Sequence, residues 1–214
     1  MTKHSERRFQ IFPLKTIGTV AVFLLAIALM TSGFKEEKKV NVTPAAGFDA
    51  AKDSTASVDA FMQVYKVLMS PRCMNCHPSG DRPLQGNDSH IHTMNVQRGK
   101  EGKGLYALKC TNCHQPENAE TNHAPPGNPK WQLPPANMKM VFQGRSAHDL
   151  ALQIMDYNRN GHKNKAMLLE HARDTIVKAG WHMGEGRPAP PLAYNEFVKV
   201  WDTWINNGGY APEK

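Results

Sequence analysis

The sequence predicts an all-α chain of short helices joined by long loops. Three observations lead there. Apolar residues recur at i, i+3, i+4 and i+7 in several separate segments. Fifteen prolines and sixteen glycines interrupt a chain of only 214 residues. No long stretch of alternating β-branched residues occurs, so almost no sheet is expected.

The elements follow in order. Ser57 is placed to cap a helix carrying Val58, Phe61, Met62, Tyr65, Leu68 and Met69, which Pro71 ends. Residues 78–104 are polar and Gly-rich. Leu105 to Cys110 reads as a short helix after Gly102 and Gly104, and residues 115–137 as a Pro- and Asn-rich connection. Ser146, with Asp149 three residues on, opens a helix whose apolar side is Leu150, Ile154 and Met155. A further helix is expected from Lys165 to Ala179, bearing Leu168, Leu169, Ala172, Ile176 and Val177. Beyond a Gly/Pro loop at 184–193, the last helix carries Phe197, Val198, Trp201, Trp204 and Ile205, closed by Gly208 and Gly209.

The N-terminus has its own logic. Thr16 to Phe34 is uncharged and most apolar from Val20 to Met30, preceded by Lys3, Arg7, Arg8 and Lys15. A basic segment followed by an apolar one is an export signal. The run also approaches the about 20 residues that span a bilayer. Residues 1–35 are therefore expected to be a signal peptide or an N-terminal membrane anchor. Basic residues stay inside, which puts the rest of the chain on the periplasmic side. Residues 36–56, charged and then rich in Ala, Thr and Asp, read as a flexible tether, and 57–214 as the folded domain. More than half of the formal charge of +7 lies in the first 35 residues, so the basic balance does not indicate nucleic-acid binding.

All four cysteines fall in two copies of one pattern: Cys73-Met74-Asn75-Cys76-His77 and Cys110-Thr111-Asn112-Cys113-His114. C-x-x-C-H is the attachment motif for c-type haem. Cysteines three apart lie on one face of a helical turn, within reach of the two vinyl groups of one porphyrin. The next residue then offers its imidazole to the iron as proximal ligand. Two covalently attached haem c groups are expected, held by Cys73, Cys76, Cys110 and Cys113, with His77 and His114 as iron ligands. A zinc site or two thioredoxin-like pairs would also use paired cysteines. Neither explains a histidine directly after both second cysteines.

An iron that only moves electrons needs a sixth ligand, His or Met. Ten histidines and eleven methionines are available. His92 lies in a polar loop where core packing does not account for it. Met140 follows Pro134-Pro135 on the way into a helix. These two lead, followed by His171, beside Leu168 and Ala172, and by Met94; Met138 competes with Met140.

Gly104 to Lys109 and the aromatic last helix resemble the first and last helices of class I cytochromes c, which cross and pack; Tyr106, Trp201 and Trp204 would take part in such a contact. The blocks PRCMNCHPSGDRPLQG, HTMNVQRG, CTNCHQPEN, PPGNPKWQLPP, MVFQGRS, LLEH and GEGRPAPP together resemble a dihaem cytochrome c family often labelled "isoquinoline 1-oxidoreductase subunit". The resemblance implies electron transfer beside a molybdenum hydroxylase. The chain has none of that hydroxylase's own machinery, so it reads as a carrier subunit passing electrons from a periplasmic dehydrogenase to a respiratory acceptor. A dihaem enzyme such as a peroxidase, or a haem-based sensor module, is the alternative.

Overall fold

The computed structural model describes residues 53–121 and 124–214. The N-terminal apolar run and nearly all of the tether lie outside them. The described chain is helix-rich with little sheet, and among the described residues no helix is long and apolar enough to cross a membrane.

Helix α1 (Ser54–Leu68) starts three residues before the expected cap, because the Asp53 carboxylate accepts from Ala56 N at 2.9 Å. Residues 54–56 are thus helix and not tether. Ser57 is fully buried, and its hydroxyl donates to the Trp204 carbonyl at 2.9 Å. A one-turn helix, α2 (Pro71–Met74), follows with Pro71 in its first turn. Helix α3 (Ala147–Met155) is capped by Ser146, which accepts from Asp149 N at 3.1 Å, as the sequence predicts.

The expected Lys165–Ala179 helix is divided. Helix α4 (Lys165–His171) ends, and α5 (Thr175–Lys178) restarts under an Asp174 cap that accepts from Ile176 N at 3.3 Å. A carboxylate free to bond the backbone locally competes with helix continuation. Helix α6 (Tyr194–Asn206) closes the fold, with Gly208 and Gly209 at positive φ just beyond it.

The core lies between α1 and α6, the most extensive helix pair, with α3 closing it. Phe61 and Trp204 meet at 4.5 Å between ring centroids, and Trp201 packs edge-on to Trp204 at 5.4 Å. The indole of Trp201 donates to the Leu168 carbonyl at 2.9 Å, so its one polar atom is satisfied in the core.

The sheet amounts to two small antiparallel hairpins: β1 (Leu84–Gln85) with β2 (His90–Ile91), and β3 (Gly104–Leu105) with β4 (Leu108–Lys109). The second replaces the helix expected from Leu105 to Cys110. Gly104 at φ +88° and Tyr106 at φ +47° are left-handed positions that a right-handed helix cannot contain. A Cβ on Gly104 would collide with the Leu108 carbonyl. Tyr106 is 89% exposed at the hairpin turn and takes no part in a contact with α6. The helix that crosses the last one is α1, upstream of the first motif.

Candidate functional site

The first C-x-x-C-H segment begins on α2. Its turn continues through Cys76 N to Cys73 O at 3.2 Å and His77 N to Met74 O at 2.9 Å. Cys73, Cys76 and His77 line a cavity of about 530 Å³ walled by the apolar core. That lies within the roughly 300–1,000 Å³ of small-molecule and cofactor pockets. Burial pushes the Cys73 thiol up to about 12 and the Cys76 thiol up to about 11. Neutral thiols of this kind are unlike the low-pKa pairs of thioredoxin-type chemistry. Among the described residues no three His, Cys, Asp or Glu side chains gather as a metal site, so the four cysteines do not converge tetrahedrally.

His77 is held on two sides. Its Nδ1 lies 2.7 Å from the Met140 carbonyl, and its ring stacks on Phe142 with centroids 3.8 Å apart and planes 7° from parallel. A carbonyl only accepts, so Nδ1 carries the proton and Nε2 keeps the lone pair. Burial pushes His77 down to about 4, against the opposing pull of that hydrogen bond. The ring is therefore a neutral imidazole with Nε2 free to bind a metal.

The second segment repeats this arrangement on a different support. A single 3₁₀ turn (Cys110–Asn112) follows β4, and His114 N bonds the Cys110 carbonyl at 2.9 Å. His114 Nδ1 lies 2.7 Å from the Pro126 carbonyl, and its ring stacks on Trp131 at 4.1 Å and 10°. Burial lowers its pKa as well. Cys110 is buried and Cys113 exposed.

The remaining sequence candidates separate clearly. His92 stands 6.5 Å from His114, ring centroid to ring centroid, at 61°. Its own Nδ1 is 2.8 Å from the Thr93 carbonyl, which leaves Nε2 free. His171 lines the same cavity as His77. Met140 lines that cavity too; its carbonyl sits at the Nδ1 edge of His77, and its sulfur lies 3.8 Å from Gln153 Nε2. Met94 is 65% exposed. Met138 also lines the cavity.

Several residues of the site escaped the sequence reading. Phe142 and Trp131, the stacking partners, look like ordinary core aromatics in a sequence. Arg72 and Arg98 look like surface charges, yet both are buried. Arg98, 1% exposed, donates to the Pro134 carbonyl at 2.6 Å and the Gly80 carbonyl at 3.0 Å, tying the loop after the first motif to the Pro134 segment. Arg72 lines the cavity and donates to Gly86 O at 3.1 Å and Asn87 Oδ1 at 2.5 Å. Its buried Nε has no partner. Burial and then the neighbouring Arg187 guanidinium lower its pKa. Among the described residues no carboxylate pairs with Arg72. A buried cation in that position favours an anionic group on whatever fills the cavity. Haem, an apolar plate with carboxylate arms, fits both the cavity lining and this unpaired donor.

Protein-family models, curated proteins and solved structures offer no match to this chain.

Proposed function

We propose that the chain is a dihaem c-type cytochrome whose task is one-electron transfer, with the helices and loops arranged around two haems in a cytochrome c-like way. The observation that carries this is the repeated histidine geometry. Each motif histidine has Nδ1 on a backbone carbonyl, a ring stacked on an aromatic, and a second histidine near at hand.

Cys73 and Cys76 would hold one haem and Cys110 and Cys113 the other, through thioethers. His77 and His114 would be iron ligands, with His171 and His92 as the candidates for the remaining ligand of each iron. Bound there, haem iron supplies a reversible ferric–ferrous couple. The protein's part is positional. The Met140 and Pro126 carbonyls fix the tautomer and rotation of each imidazole and make it a stronger donor. Phe142 and Trp131 lock the ring planes. A site held this way needs little rearrangement when charge changes.

Both alternatives, a peroxidase and a gas sensor, need an iron with an open sixth position. The paired histidines favour a carrier over either. The export segment and the resemblance to the isoquinoline oxidoreductase-linked family complete the proposal: electrons pass from a periplasmic dehydrogenase, a molybdenum hydroxylase, to a respiratory acceptor. Alkaline pyridine haemochrome spectroscopy should give two covalent haems per chain, and electron paramagnetic resonance two low-spin irons. A peroxide-reactive high-spin iron would move the assignment to an enzyme. Co-purification from membranes identifies the partner.

A further inference from the structure

The two motif centres are neighbours. One side chain belongs to both. Trp131 stacks nearly parallel on His114, 4.1 Å between centroids and 10° between planes, and the same indole lines the cavity with Cys73, Cys76 and His77. Phe142 is the counterpart at the first centre. It stacks on His77 and lines that same cavity.

We propose that Trp131 is the coupling residue between the two centres, its indole carrying the electronic overlap from the His114 imidazole into the cavity of the first motif. The inference rests on the dihaem reading above. An electron tunnels more readily across stacked π systems than across a gap of the same length. The step is a simple exchange: one electron leaves the ferrous iron of one centre, which becomes ferric, and the ferric iron of the other becomes ferrous. Trp131 is neither oxidised nor deprotonated. It touches an iron ligand and not an iron, so it acts by positioning and overlap.

The test uses the full-length, haem-loaded protein, half-reduced, with exchange NMR on the methyl resonances of each haem. Those lines report electron exchange between the two haems within one molecule. Trp131→Leu should slow that exchange by about an order of magnitude, with haem content and low-spin line positions recorded on the same sample so that a lost haem or a changed ligand is told apart from lost coupling. Trp131→Phe, which keeps a smaller π face, should fall between. Leucine exchanging as fast as the parent overturns the proposal. If the leucine variant loses a haem, Trp131→Phe and Trp131→His decide: a rate that falls with the area of the π face supports coupling, and rates equal to the parent's overturn it. Fewer than two covalent haems in the parent chain would refute the dihaem reading itself, and the coupling role with it.

Discussion

At the first centre, Cys73 lies on a helix and its motif faces a cavity walled by the main core. At the second, Cys110 opens a 3₁₀ turn after a small hairpin, and Cys113, just past that turn, is exposed. The same five-residue pattern thus sits in two surroundings. An enclosed centre gains more from each electrostatic interaction, because little water screens it. A centre at the surface exchanges electrons with a partner more easily, because the partner can come close. On the dihaem proposal, the second would be the docking end, and the first, beside the buried cation Arg72, would have the higher potential.

The contrast can be broken most severely by removing one pair of cysteines at a time. The double variants C73A/C76A and C110A/C113A should each halve the haemochrome absorbance. Only the first should also cost much of the helical circular dichroism, since it leaves a hollow of about 530 Å³ inside the core. Equal loss of helix in both would mean that the two centres support the fold equally.

Phe61→Ala acts on the helical side alone. It should destabilise the protein by about 3–5 kcal/mol in chemical denaturation, because Phe61 is fully buried against Trp204. The second haem should hold its spectrum until the fold itself melts.

His171→Ala and His92→Ala should each turn one iron high-spin in electron paramagnetic resonance, at the enclosed and the exposed centre respectively. A low-spin spectrum retained in His171→Ala would pass the role to Met138, Met140 or Met183, which line the same cavity.

Arg72→Leu should lower one midpoint potential by tens of millivolts in a redox titration, where about 59 mV is a tenfold change for one electron. The other potential should move much less. The smallest effect belongs to the far surface. Arg173 meets Asp202 in a two-pronged ion pair at 2.6 and 3.2 Å, both side chains partly exposed. Arg173→Ala should cost no more than about 1 kcal/mol and leave both potentials unchanged.

Much of this was legible in the chain. The helix before the first motif, the Ser146 cap and the aromatic last helix follow from periodicity and capping chemistry that act over a few residues. The region before the second motif reads as helix but folds as a hairpin. Its glycines fit either a helix boundary or a hairpin, and left-handed Tyr106 gives no warning in sequence. The Lys165–Ala179 helix was overextended, because Asp174 is an ordinary helix residue until its carboxylate turns to cap the next turn.

The six residues of the two C-x-x-C-H segments are set by spacing, which the chain carries by itself. Sequence also placed His92 and His171 among many candidates. Only the tertiary structure puts His92 beside His114 and gathers His171, Met138 and Met140 around the cavity of His77. Likewise, only the fold made buried groups of Arg72 and Arg98 and put Trp131 against both centres. Local spacing determines what can bind, and long-range packing decides what lies opposite it.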